Sequence, residues 1–349
     1  MDEKNLTPET NTPEVVKEEN ITTEIETTIE IETLKKGKKV KKSELNEDLY
    51  FESDAQAKKY VIQRRIKLGI TYFLLVLAAL FTLLPFYWMI ITSFKTEGEL
   101  LQAPPTFFPL EPTFENYSNV FNSKNSKLLG FIINTLFVSI ATTILVVVTT
   151  VLAAFAFSRL EFKGRETIFS LLLATMMVPG EMMIMTNYTT VSLFGWTMST
   201  GEPFADTVQF LICCIIPFGA SVFYIFFLRQ NFKQIPNELY YAAKVDGNSD
   251  FKYLFKVMIP IAKPAIITVT ILSCMGAWDA YIWPRTVSFS NDVHLVTDGL
   301  MYMMQSFEGT DTSNIMMAAT TVVSIPLLLI FIFFRKYIMR GVARSGIKG

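Results

Sequence analysis

Histidine occurs once in the 349 residues, at His294, and cysteine three times, at Cys213, Cys214 and Cys274. A lone imidazole excludes the paired histidines of zinc hydrolases and any mechanism that passes protons between two of them. The three cysteines lie inside apolar runs, and chain neighbours such as Cys213 and Cys214 seldom bridge each other. They are expected to be small buried hydrophobes, and no metal site or catalytic residue is expected. Charge is scarce too: 18% of the residues are charged against 51% apolar, too few to coat a soluble globule of this size. Neither a Walker phosphate-binding motif, a recognisable pairing of nucleophile and base, nor an inverted repeat is present. A membrane-embedded enzyme and a self-contained secondary transporter are therefore weak rival readings.

What the chain does have is long apolar runs, with a mean hydropathy of +0.35. The net charge of −1 hides a segregated layout, in which much of the charge sits in the first sixty or so residues. Residues 1–60 read as a disordered cytoplasmic tail and 61–349 as a membrane domain. From Met1 to about Thr33 the tail is rich in Glu and Thr and has little apolar area to offset its ordering entropy. The run Lys35, Lys36, Lys38, Lys39, Lys41 and Lys42 follows, then Lys58, Lys59, Arg64, Arg65 and Lys67. These charges hold the tail inside; they are either a solvated segment or a contact for anionic lipid. An acidic lead of this length does not have the layout of a signal peptide.

Six stretches meet the roughly 20 residues needed to cross a bilayer, centred on Leu80, Val146, Met177, Pro217, Ile271 and Leu328. Pro85, Pro179, Pro217 and Pro326 fall inside them and are read as kinks rather than boundaries. Lysine and arginine gather in the loop after the second span, the loop after the fourth, and the C-terminal end. Val191 to Asp206 carries no Lys or Arg, and Ser288 to Asn314 no fixed positive charge. Both termini are thus expected in the cytoplasm.

The basic loop 229–263 reads as two short helices joined at a glycine. Pro236 suits a first helical turn with Glu238 near its positive end, and Gly247-Asn248 supplies the stop. Ser249 or Asp250 then caps a second helix, whose Phe251, Leu254, Phe255 and Met258 have the spacing of one apolar face. Such a face either docks a partner or lies on the membrane surface.

Acids inside spans are costly, so Glu181 and Asp279 are candidates for a solute pathway; the alternatives are pairing with a neighbouring helix or a wet position near the outer interface. Trp278, Tyr281 and Trp283 flank Asp279 with ring faces suited to sugar C–H surfaces, or form an interfacial belt. Asn187 and Gln209 add neutral hydrogen-bonding groups. No Lys or Arg lies between Arg165 and Arg229, which favours a neutral polyol or sugar. Arg285 is the exception that leaves room for a sugar phosphate.

Ala242-Ala243, Gly247, Val257, Ile259 and Pro260 have the spacing of the Glu-Ala-Ala loop of permeases from binding-protein-dependent ATP-driven (ABC) importers. The resemblance extends to Phe114-Glu115-Asn116-Tyr117, Leu152 through Gly164, Met177-Val178-Pro179-Gly180, Gly276-Ala277-Trp278 and Ile347-Lys348-Gly349. It is strongest to the second permease of maltose-like carbohydrate importers. The resemblance implies an all-α membrane protein of six transmembrane helices in a bacterial cell membrane. Its loop helix, with Glu238, Tyr241, Ala242, Ala243, Asp246, Gly247 and Pro260, would seat in a cleft of an ATP-binding subunit. The tail residues Arg344, Lys348 and Gly349 would reach the same subunit. The implied partners are a second permease in a heterodimer, two ATP-binding subunits that use ATP and Mg, and an extracellular solute-binding protein. This chain itself would bind no cofactor and no nucleic acid. Tyr241 stands where the family carries glutamate, and Glu238, three residues earlier, is the available substitute charge. Glu181 and Asp279 stand where the family carries neutral amides.

Overall fold

The computed structural model describes residues 54–122, 127–288, 293–306 and 313–346, and every regular element among them is helical. The greater part of the expected tail, 1–53, lies outside the described residues, as do Lys348 and Gly349. Residues 54–60 are already helical. The chain divides into a unit ending at Phe81 and a second unit from Thr82 onward.

The first unit's described part belongs to α1 (Asp54–Ser93), a helix that runs through Pro85 without interruption. Its large apolar side chains from Leu68 to Phe81 are exposed in the isolated chain, including Phe73 and Phe81. A helix apolar on every side suits a lipid or protein surround, not water.

In the second unit, two short helices, α2 (Glu97–Leu100) and α3 (Glu115–Asn122), precede the long α4 (Leu128–Arg159). No proline interrupts α4, and Leu160 ends it by turning extended. Next come α5 (Arg165–Thr175), a 3-10 turn at Gly180–Met183, and α6 (Ile184–Leu193). α7 (Pro203–Ile215) passes through a 3-10 turn at Ile216–Phe218 before α8 (Val222–Lys233). α9 (Asn237–Val245) is followed by α10 (Asp250–Tyr253), a π-helical turn at Leu254–Met258, and α11 (Ile259–Trp278). α12 (Ile282–Val287), α13 (Val296–Ser306) and α14 (Ser313–Gly346) complete the described chain.

Four stretches are long and apolar enough to cross a membrane: Ile62–Ser93, Leu128–Arg159, Asp250–Trp278 and Ser313–Lys336. Counting each bent pair as one span, α5 with α6 and α7 with α8, gives six. The bends are where the kink reading of the prolines needs revision. Pro179 sits outside both helices at a break of 89°. A residue before proline is pushed out of the α region, so Val178 cannot carry the helix forward. Pro217 lies in the 3-10 turn at a 45° break. There Gly219 is required by close approach, since an added Cβ would lie 2.3 Å from Leu145. The Gly219 carbonyl, freed by the break, accepts a hydrogen bond from Thr149 on α4 at 2.7 Å. Pro85 and Pro326, by contrast, lie inside continuous helices.

Packing centres on α4, which runs from one end of the second unit to the other. Near its C-terminus, Val151, Ala154 and Phe155 pack with Leu228 and Phe232 of α8, Ala243 of α9, and Tyr253, Leu254, Met258 and Ala262 of the fifth span. Near its N-terminus, Leu128 and Phe131 pack with Trp278, Val296, Met303 and Ala318. Cys213 and Cys214 are free thiols buried in a third cluster with Phe210 and Trp283; Cys274 is also free.

Candidate coupling site

Helix α9 ends as its sequence demands and begins at Asn237, one residue after Pro236, which the sequence reading places in the first turn. Pro236 holds φ −55 and ψ 138 just before it, and Glu238 occupies its first turn, where the helix dipole favours an acid. At the other end the Asn248 N–H donates to the Ala243 carbonyl at 2.9 Å and the Gly247 N–H to Lys244 at 3.0 Å. These are the two bonds of a Schellman stop, which requires a left-handed residue at Gly247, and its φ is +74. Ser249 accepts from the Lys252 N–H at 3.3 Å and so caps the next helix.

The helix has two unlike faces. Tyr240 and Ala243, three apart, turn inward onto the core formed by α4, α8 and the fifth span; Ala243 is only 8% exposed. Glu238, Tyr241, Ala242 and Val245 share the opposite face. Tyr241 is 56% and Val245 88% exposed. Ala242 and Ala243, adjacent in the motif, therefore point to different surroundings. Asp246 and Pro260 are exposed, one at the end of α9 and the other in the first turn of α11.

The stretch after Gly247 departs from the short second helix expected, since helix continues from Asp250 to Trp278. Nor do its four apolar residues share one face. Leu254 and Met258 are buried, whereas Phe251 and Phe255 are exposed. The π turn at Leu254–Met258 changes the angular spacing that an α-helical reading assumes.

Three sets of polar ties hold this end together. Asp250 accepts from the Tyr240 hydroxyl at 2.8 Å and pairs with Lys244 at 2.6 Å, which joins α9 to the start of the fifth span. Burial, and then the hydrogen bond to Asp250, pushes the Tyr240 phenol up to about 12. Arg229 on α8 makes two 2.7 Å bonds to Glu166 on α5, donates to the Phe157 carbonyl at 3.0 Å, and lies over the Phe169 ring. Arg159, the last residue of α4, is buried at 6% exposure. Its guanidinium donates to the carbonyls of Phe232 and Ile235 at 2.8 and 2.6 Å and to Asn237 Oδ1 at 3.0 Å. Hydrogen bonds to a charged group contribute about 1.5–3 kcal/mol each, so three of them offset much of the several kcal/mol that burying an ion costs. From sequence, Arg159 is one of the basic residues after the second span that mark sidedness, and Arg229 begins the basic loop 229–263; neither is read there as a tie between helices.

The pathway candidates are spread over several elements. Glu181 is exposed in the 3-10 turn at the α5–α6 break. Asn187 on α6 and Gln209 on α7 are half-buried, and Gln209 Oε1 is buried without a hydrogen-bond partner. Asp279 and Tyr281 are exposed just beyond α11. Trp278 is different, being only 2% exposed. Its ring packs among Val120, Phe131 and Ala319, so the stacking face expected of it is covered by the chain's own core. Trp283 is also buried and donates to the Cys213 carbonyl at 2.9 Å. Arg285 pairs with Asp298 at 3.3 Å. Arg344 falls within α14.

Residues 146–344, more than half of the chain, match the family described as binding-protein-dependent transport system inner membrane component. The diacetylchitobiose uptake system permease protein NgcG of Streptomyces coelicolor is 29% identical, over 79% of this chain and 88% of its own length. The arabinooligosaccharides transport system permease protein AraQ of Bacillus subtilis is also 29% identical, over 81% and 96%. A solved chain from a bacterial ABC transporter involved in import of the acidic polysaccharide alginate superposes with a TM-score of 0.68 at 22% identity, covering 83% of this chain and 99% of its own. With a bundle of membrane-length helices and a family match across its larger part, this chain belongs to the inner membrane components of binding-protein-dependent transport systems: it is a multi-pass permease subunit, and not an enzyme.

Proposed function

We propose that this subunit imports a carbohydrate, and that α9 is the surface on which an ATP-binding subunit acts. The observation that carries the second part is the two-faced geometry of α9. Its inner face is fixed to the bundle through Ala243, Tyr240 and Asp250, while Glu238, Tyr241, Ala242 and Val245 face away. A helix held on one side and bare on the other suits a push from a second protein. Two such subunits would use ATP and Mg, while a second permease completes the pore and an external binding protein delivers the solute. The end bearing Arg159, Lys163, Arg229 and Lys233 is assigned to the cytoplasm because positive residues are retained there, which puts both termini inside. Arg344, Lys348 and Gly349 are assigned to the same partner's surface.

The carbohydrate assignment rests on two relatives named for diacetylchitobiose and arabinooligosaccharides. It also rests on the engagement of Arg285 with Asp298, which leaves that cation less suited to a phosphate and favours a neutral sugar. We assign Glu181, Asp279 and Tyr281 to the pathway, with Asn187 and Gln209 beside it. Trp278 supports the end of α11 beneath Asp279.

In the assembled complex, cysteine at Val245 should crosslink to the ATP-binding subunit in a nucleotide-dependent way, with the inward Ala243→Cys as a weak control. Failure of Val245→Cys to crosslink in any nucleotide state would sink the assignment. Glu181→Gln and Asp279→Asn remove charge-assisted hydrogen bonds to solute hydroxyls of about 1.5–3 kcal/mol, so uptake per assembled complex should fall about tenfold or more. Wild-type uptake from both variants would take the acids out of the pathway. A panel of sugars and sugar phosphates titrated against the cognate binding protein checks the solute class.

A further inference from the structure

We propose that Arg159 is the positioning residue through which movement of α9 is passed to α4; this rests on the reading of α9 as the contact for the ATP-binding subunit. In the chain, α9 is flanked by α8 on one side and the fifth span on the other. α4, the helix on which the second unit packs, is not adjacent to α9 in sequence and meets it through packing around Ala243 and through Arg159. Among the described residues, the hydrogen bond that joins them is Arg159 to Asn237 Oδ1 at 3.0 Å.

The geometry gives that bond more reach than one contact. Asn237 is the first residue of α9, Phe232 lies in the last turn of α8, and Ile235 lies between them. One guanidinium therefore grips the end of α8, the connection and the start of α9, from the terminus of a third helix. Its charge meets carbonyl oxygens at a helix C-terminus, where the peptide dipoles are negative. A planar fork can satisfy acceptors in several directions at once, which a lysine ammonium on a flexible stem cannot do with the same rigidity. Displacement of α9 along the membrane normal must then carry α4 with it or break bonds to a buried cation. The Tyr240–Asp250–Lys244 tie does the same for the fifth span at the opposite end of α9.

The test uses the complete transporter in proteoliposomes, with Arg159→Gln, Arg159→Lys and Asn237→Ala, each also carrying Val245→Cys. The reading is solute taken up per ATP hydrolysed, counted on assembled complexes, a ratio that loss of folded protein does not change. Arg159→Gln should lower the ratio about tenfold, in line with losing one or more charged hydrogen bonds. Arg159→Lys should restore part of it, and Asn237→Ala should have a smaller effect that, in the double variant with Arg159→Lys, does not add. The crosslink from Val245→Cys should persist in all three, showing α9 seated but its movement no longer transmitted. If Arg159→Gln does not assemble, Arg159→Lys and Asn237→Ala decide the matter, because both leave the buried seat filled. Wild-type uptake per ATP in those variants, with the crosslink intact, overturns the proposal alone. Absence of the crosslink from the parent complex overturns the reading of α9 and the proposal with it.

Discussion

At the end where α4 begins, Asn116 donates to the carbonyls of Ser93 at 2.9 Å and Lys95 at 2.8 Å and accepts from Asn314 at 3.0 Å. At the end where α4 finishes, Arg159 and Arg229 make the corresponding ties. The first set is built of neutral amides: Asn116 on α3 bridges the end of α1 to the start of α14. The second set is cationic: Arg229 ties the fourth span to the third, and Arg159 fastens α9, a short helix that no span contains. In the same unit Asp298 is wholly enclosed, 2.5 Å from the buried His294 and 3.3 Å from the more exposed Arg285. His294 is further enclosed by Phe131 and Tyr302. The first end is tied by groups that lie within the chain's own core, and at the other α9 keeps an exposed face. On the proposed reading of α9, the difference separates ties that set stability from ties that set coupling.

Variants at the two ends should therefore fail in different measurements. The largest effect is expected from Asp298→Asn, which leaves His294 and Arg285 without their carboxylate. Arg285 is itself well exposed, so the loss is that of hydrogen bonds to a buried carboxylate, about 1.5–3 kcal/mol, and a lower Tm of the purified complex should report it. An unchanged Tm would mean that the first end is not held by these groups. Next comes Gly247→Val, which forces a β-branched side chain to φ +74. The strain is about 1–2 kcal/mol, and uptake per ATP should suffer more than Tm does. Gly247→Asn should be milder, because asparagine tolerates this region; equal loss in both variants would point away from the backbone. The smallest effect belongs to Tyr240→Phe, which removes one hydrogen bond of about 1 kcal/mol. Its signature is in pH. A phenol raised from 10.0 to about 12 is favoured in its neutral form by the fold. Its contribution is complete below about 10 and is lost as pH rises through about 12. Tyrosinate absorbance should show a late-titrating phenol that Tyr240→Phe removes, and titration of both proteins alike would refute the tie.

Local chemistry made α9 legible before any coordinates. Pro236, Glu238 and Gly247 act within a few residues of themselves, so start, charge preference and stop can all be read from the string. Which side of α9 faces the bundle cannot be read that way for Ala242 and Ala243, which are identical residues. Arg159 was missed because its acceptors lie 73, 76 and 78 positions further along the chain. Trp278 was misjudged for a related reason, as the residues covering its ring come from Val120 to Val323. Hydropathy found the third span but averaged across its break, although Pro179 carried the signal. Phe251 and Phe255 part from Leu254 and Met258 in a segment that turns π-helical at Leu254–Met258, a change of period that an α-helical reading of the string does not anticipate.

The 89° break between α5 and α6 also bears on how the protein is made. α5 has 11 residues and α6 has 10, which at 1.5 Å per residue gives rods of about 15 Å each, half the roughly 30 Å hydrocarbon core. Neither rod alone crosses that core; only the two together have the length and hydropathy of a span, so they have to enter the bilayer as one unit.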